Sequence, residues 1–155
     1  MSNSEIIEEK YAESVMGIKE EWFNTVSTKW YDYVIGLPIH LQTVYLIVVF
    51  HNQIFNGGFH QYFVNGYGQF AKETINALKI IGAFKKAELL EQALRIVNLE
   101  NYSDEIFRKK LLEKQIPQLF SKDDLFELLD NLDNIYYTDD KEDIEQLLGN
   151  YLGSR

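Results

Sequence analysis

Apolar side chains along this chain recur at steps of three and four, the spacing that lines one face of an α-helix. From Ile7 they run through Tyr11, Val15, Ile18, Trp22, Val26, Trp30 and Val34, which predicts a first helix interrupted near Gly17. Core packing accounts for this aromatic stripe better than a ligand cage does. Gly36-Leu37-Pro38 ends the element, and Pro38 suits the first turn of the next one. That second helix, about 38–55, is apolar nearly all round between Val44 and Phe50, which places it in the middle of a bundle. The β-branched Val44, Ile47, Val48 and Val49 also suit a buried strand, but no other segment looks like a strand to pair with it. Asn56-Gly57-Gly58 reads as a helix C-cap and sharp turn, because Asn and Gly enter the left-handed region cheaply. Phe59, Tyr62 and Phe63 then fit one short helical turn facing the core, stopped by Asn65-Gly66.

The rest of the chain continues the helical period. Phe70, Thr74, Ile75, Leu78 and Ile81 form one stripe, and Phe84, Ala87, Leu90, Leu94 and Val97 the next. Joined at Gly82, they predict an αα-hairpin. Ser103 starts a helix that runs to about Gln115, with acids in its first turn and Pro117 beyond its end. Two last helices, about 122–136 and 140–152, turn Leu125, Leu128, Leu129, Leu132 and Ile135, then Ile144, Leu147, Leu148 and Tyr151, toward the core, with Ser121 and Thr138 as N-caps. The expectation is an all-α single domain over residues 1–155. It is a bundle of about seven to eight helices around a central buried helix broken at Asn56-Gly57-Gly58.

Composition agrees and adds a charge. With 155 residues and 46% hydrophobic content the chain can build one packed core, and no Gly-, Ser- or Pro-rich linker or internal repeat divides it. The formal net charge is −9 and the sequence pI about 4.8, a surface that repels nucleic acid and anionic membranes and favours basic partners. The charge is uneven: residues 1–37 carry −4, residues 38–120 carry +2 and residues 121–155 carry −7. The absence of cysteine excludes disulfides, thiolate metal sites and cysteine nucleophiles. The acidic start has no apolar core of a secretory leader, and the apolar run at 44–50 is far shorter than the roughly 20 residues of a membrane span. A cytoplasmic protein is expected.

Residues 51–66 hold two of the three histidines and three of the nine glycines, so they are the first place to look for chemistry. The glycine pair has no following Lys-Ser/Thr and no GxGxxG pattern, which argues against a phosphate loop. His51 and His60 lack an HExxH arrangement, and no carboxylate lies between Phe50 and Phe70 to complete a metal site. Asn52, Gln53, Asn56, Gln61 and Asn65 do not titrate, and they suit backbone groups left open where a helix breaks. Neither a cofactor nor a catalytic constellation is indicated. Arg108-Lys109-Lys110, the only basic cluster, reads as a solvated face, and Asp130-Asn131-Leu132-Asp133-Asn134 lacks the alternation and glycine of a calcium loop.

One segment is distinctive beyond its physics. Asn56-Gly57-Gly58-Phe59 with Gln61-Tyr62-Phe63 and Asn65 resembles the signature of a bacterial family of small helical domains whose characterised member is a DNA mimic. The helix opening at Leu37-Pro38, Ala77-Leu78, Ile81-Gly82-Ala83, and the closing Leu128-Leu129-Asp130, Asp133 and Tyr151-Leu152 fit the same pattern, over roughly residues 37–152. The resemblance implies an all-helical fold without known catalysis and, for the mimic itself, an acidic surface that occupies the DNA site of a transcription factor. This chain departs from the family at His51-Asn52-Gln53, where an acidic residue is common.

Mimicry sets a physical requirement. Duplex DNA presents one charge per about 1.7 Å of axis, whereas one acidic stripe on a helix offers a charge only every 5 Å or so. The two C-terminal helices together, with the acidic N-terminal helix beside them, come closer to that density, and a homodimer closer still. The expected partner surface is therefore Asp123, Asp124, Glu127, Asp130, Asp133, Asp139, Asp140, Glu142, Asp143 and Glu145, facing a basic protein such as a DNA-binding regulator. Two alternatives stand beside it: an immunity- or antitoxin-like inhibitor of a basic toxin, and an enzyme using His51 or His60.

Overall fold

The computed structural model describes residues 1–23, 25–122 and 124–154. Its elements in chain order are α1 (Asn3–Val15), a 3-10 turn (Glu20–Trp22), α2 (Lys29–Ile35), α3 (Ile39–Val64), a second 3-10 turn (Tyr67–Phe70), α4 (Ala71–Ile80), α5 (Phe84–Val97), α6 (Asp104–Leu112), α7 (Pro117–Phe120), α8 (Phe126–Thr138) and α9 (Ile144–Gly153). No strand occurs among the described residues, so the all-α expectation holds.

The N-terminal stripe is two helices and a 3-10 turn rather than one interrupted helix. α1 opens on a capping box in which Ser2 Oγ accepts from the Glu5 N–H and the Glu5 carboxylate accepts from the Ser2 N–H, both at 3.1 Å. It ends just before Gly17, where the Tyr33 hydroxyl of α2 donates to the Ser14 carbonyl at 2.8 Å and accepts from the Gly17 N–H at 3.1 Å. One phenol thus holds the chain reversal together. Trp30 follows into the core, its Nε1 donating to the Tyr45 hydroxyl at 2.9 Å.

α3 is the axis of the domain. Val44, Leu46, Ile47, Phe50 and Ile54 are fully buried, and α1, α4 and α8 all pack on it. The helix was expected to stop near residue 55, and instead it bends and continues to Val64. Gly58 alone leaves helical geometry, at φ 80° and ψ −173°, a region open essentially only to glycine. Asn56 and Gly57 stay inside the helix, so the C-cap reading of the tripeptide is corrected to a one-residue kink.

α8 closes the kink from outside. The Phe59 N–H donates to Asp133 Oδ1 at 2.7 Å, and the Tyr137 hydroxyl donates to the Ile54 carbonyl. A Cβ on Gly58 would lie 2.1 Å from Asp133 Oδ2, so the carboxylate sits where a side chain would be. The amides behave differently from the expectation that they satisfy backbone. Gln53 Oε1 accepts from Gln61 Nε2 at 3.2 Å and from Asn65 Nδ2 at 3.1 Å, a side-chain ladder that spans the bend. Phe59, Tyr62 and Phe63 are buried as the spacing predicted, and Phe50, Phe59 and Tyr62 join Tyr136 of α8 in one aromatic cluster.

The α4–α5 hairpin turns at Gly82 as expected, with the Ala83 N–H returning to the Leu78 carbonyl at 2.8 Å. The C-terminal part differs in phase. α8 buries Leu125, Leu129, Leu132, Asp133 and Tyr136, which leaves Leu128 and Ile135 exposed rather than in the core. Ser121 and Thr138 are not N-caps. α8 has no side-chain cap, Thr138 is its last residue and donates back to the Asn134 carbonyl, and Asp143 caps α9. The two last helices also do not lie side by side as one unit: α8 packs on α3 and α5, and α9 packs on α1.

Gly58→Ala should destabilise the fold by about 1–3 kcal/mol from backbone strain alone. Asp133→Ala should cost about 1–3 kcal/mol by leaving the Phe59 N–H without an acceptor, and Asp133→Asn clearly less. Urea unfolding of the two alanine variants and their double mutant checks the geometry. A strictly additive double mutant would show that Gly58 and Asp133 do not meet.

Candidate functional site

The acids expected to form one contact surface fall into two groups by what they touch. Asp123 lies outside the described residues. Asp133 is corrected from a contact residue to the buried acceptor of the α3 kink, 7% exposed. Asp139 Oδ2 pairs with Lys86 Nζ at 3.3 Å, and its other oxygen accepts from the Lys141 N–H at 3.2 Å. Glu142 reaches the N-terminus of α5, where its two oxygens accept from the Lys85 and Lys86 N–H groups at 2.7 and 2.9 Å. Ala83 at the head of that helix has no side chain to cap it, so Glu142 acts as the cap from a distant part of the chain. Asp143 Oδ1 caps α9 by accepting from the Gln146 N–H at 3.1 Å.

Lys86 organises this end. It is 2% exposed, bonds Asp139 and the Glu142 carbonyl (2.9 Å), and sits 4.9 Å from the centre of the Tyr136 ring. Burial works against ionisation of Asp139, but the Lys141 N–H and the Lys86 ammonium outweigh it and hold that carboxyl below its usual value. Asp139 and Glu142 hold the 139–143 turn onto α5.

Asp124, Glu127, Asp130, Asp140 and Glu145 are exposed, and among the described residues none has a hydrogen bond or ion pair. Asp124, Glu127 and Asp130 follow one another at and along the start of α8. Between and beside them stand exposed apolar side chains that sequence reading placed in the core or did not single out: Phe126 at 57%, Leu128 at 51%, Ile135 and Tyr137. Phe55 is exposed across the kink, its ring against those of Tyr136 and Tyr137. The missed signal was the 4-3-4 spacing of Leu125, Leu129, Leu132 and Tyr136, which rotates Leu128 and Ile135 outward.

The two histidines differ. His51 Nδ1 and the Tyr136 hydroxyl share a hydrogen bond of 2.7 Å, while burial and then the Lys86 charge push the imidazole below its usual pKa and keep it neutral near pH 7. It lines a cleft of about 430 Å³ with Glu8 and Tyr11 of α1 and Glu145 and Leu148 of α9. His60 lies against the Phe126 ring. Helix α3 is the longest in the chain, yet no helix among the described residues is long and apolar enough to cross a membrane.

A central helix kinked at Gly58 and clamped by Asp133 of α8 is the core of a small all-helical domain that carries the glycine-aromatic motif at its bend. A family model described as DMP19-like protein matches residues 35–155, and the chain belongs to that family. No curated protein and no solved structure matched. Helix α1 precedes the matched region, so the wall it gives the His51 cleft lies outside the family match.

Burial raises the Asp133 carboxyl, the Phe59 N–H partly offsets this, and Asp130 adds to it. A folded-state pKa above the unfolded one contributes stability that is full at low pH and fades as pH rises through the folded value. The stability of Asp133→Asn relative to the natural chain should therefore increase from pH 4 to pH 7. Denaturant midpoints across that range check the sign; a constant difference would mean that Asp133 does not titrate under strain.

Proposed function

We propose that this chain is a non-enzymatic domain that binds a basic protein through the outer face of α8 and the adjoining Asp140, and that it acts as a DNA mimic on the DNA-binding surface of a regulator. The carrying observation is that Asp124, Glu127, Asp130 and Asp140 are exposed and uncompensated, with Phe126 and Leu128 exposed among them. Uncompensated carboxylates attract lysine and arginine at long range. Exposed aromatic and aliphatic side chains supply the apolar anchors on which protein interfaces depend and which a nucleic acid backbone does not need. Membership of the DMP19-like family supports mimicry in particular. An immunity- or antitoxin-like inhibitor of a basic toxin would use the same face, and competition by DNA separates the two.

A catalytic alternative has one observation in its favour: His51 lines an open cleft beside the carboxylates of Glu8 and Glu145. Against it, the Nδ1 of His51 is engaged by Tyr136, whose phenol is held neutral by burial.

Immobilised protein incubated with native lysate tests the proposal. The retained partner should elute between about 0.1 and 0.5 M salt, because added salt shortens the Debye length and screens exposed charge pairs that lie farther apart than it. Duplex DNA should displace it, and combined Glu127→Lys, Asp130→Lys and Asp140→Lys should abolish capture without loss of helicity. Capture that survives those three reversals would refute the α8 face, and capture indifferent to DNA would favour the toxin-inhibitor alternative.

A further inference from the structure

We infer that the cleft between α1, α3 and α9 is a receptor for a single long cationic side chain, lysine or arginine, of a basic protein partner. The inference rests on the partner reading above but concerns a different surface. The cleft holds about 430 Å³, within the range in which pockets bind small groups. Its walls are mainly apolar, with Ile7 and Tyr11 from α1, Val48 from α3 and Leu148 from α9. Two exposed carboxylates from different helices line it as well, Glu8 on α1 and Glu145 on α9, and neither has an ion pair or hydrogen bond among the described residues.

An alkyl stem ending in a charge fits this arrangement. Lysine and arginine bury their methylenes along apolar surface while the charged head stays at a polar rim. Here the stem would lie against Val48 and Leu148 and the head between Glu8 and Glu145. His51 is the only basic side chain among the described residues that line the cleft, and burial followed by the Lys86 charge lowers its pKa. The walls are also fixed in place. A Cβ on Gly149 would fall 2.3 Å from Asn3, so glycine at that position lets α1 and α9 cross in direct contact beside the cleft. His51 is anchored by Tyr136. A preformed site spares the partner's side chain the cost of ordering its surroundings. The α1 wall of the cleft lies outside residues 35–155, the region that the family model matches.

The test uses isolated side chains, so it does not depend on the partner's identity. The 15N-labelled full chain is titrated with N-acetyl-lysine methylamide, N-acetyl-arginine methylamide and the uncharged N-acetyl-norleucine methylamide. The cationic amides should shift the amide signals of Glu8, Tyr11, His51 and Glu145 saturably. The norleucine amide should bind at least tenfold more weakly. Glu8→Gln with Glu145→Gln should lower the affinity severalfold, while Asp130→Lys leaves it unchanged. Shifts spread evenly over the acids of α8, no saturable shift at high millimolar ligand, or equal binding of norleucine would each overturn the inference. In the lysate assay, loss of capture on α8 reversal with no change in the Glu8/Glu145 variant overturns the cleft alone. Its counterpart, loss only in the Glu8/Glu145 variant, overturns the α8 face and keeps the cleft.

Discussion

One hydrogen bond between elements far apart in sequence governs this fold. The Phe59 N–H points out of a bent helix and donates to the carboxylate of Asp133, 74 residues on. A buried amide without a partner is costly, so the bend and α8 are mutually dependent. Gly58 permits the backbone to turn and leaves the volume that the carboxylate occupies. Once Asp133 is committed inward, the rotation of α8 is set. Tyr136 then faces Phe50 and Phe59, and Leu128 and Ile135 have no place but the surface.

That rotation reorganises the meaning of the acidity. A net charge of −9 suggests one continuous anionic face, yet much of the C-terminal charge performs internal work. Asp133 holds the kink, Asp139 neutralises a buried lysine, Glu142 caps α5 and Asp143 caps α9. The remaining acids are spaced among apolar side chains rather than set in an even row.

The N-terminal helix contributes differently. α1 lies against α3 and α9, and with them it forms the cleft beside His51 that Glu8 and Glu145 also line. The tyrosine that ties α1 to α2 and the tight crossing at Gly149 make this segment part of the domain's packing.

What the sequence determined by itself rested on local spacing, although the phase of α8 and the caps expected at Ser121 and Thr138 escaped it. The helical period, the buried centre of α3, the hairpin at Gly82, the Ser103 cap and the glycine-aromatic family motif were all legible there, because each is decided within a few residues along the chain. The split of the first stripe was not, since its cause is a phenol of α2 that caps α1 from 19 residues away. Nor was the role of Asn56-Gly57-Gly58: whether glycines end a helix or bend it depends on whether a distant group satisfies the exposed amide. The same limit applies to the acids. Asp130 and Asp133 look alike in sequence, and only packing against α3 buries one and leaves the other in water. Tertiary structure decided which charges serve the fold and which stay in water, because desolvation is a property of the assembled surface and not of the residue.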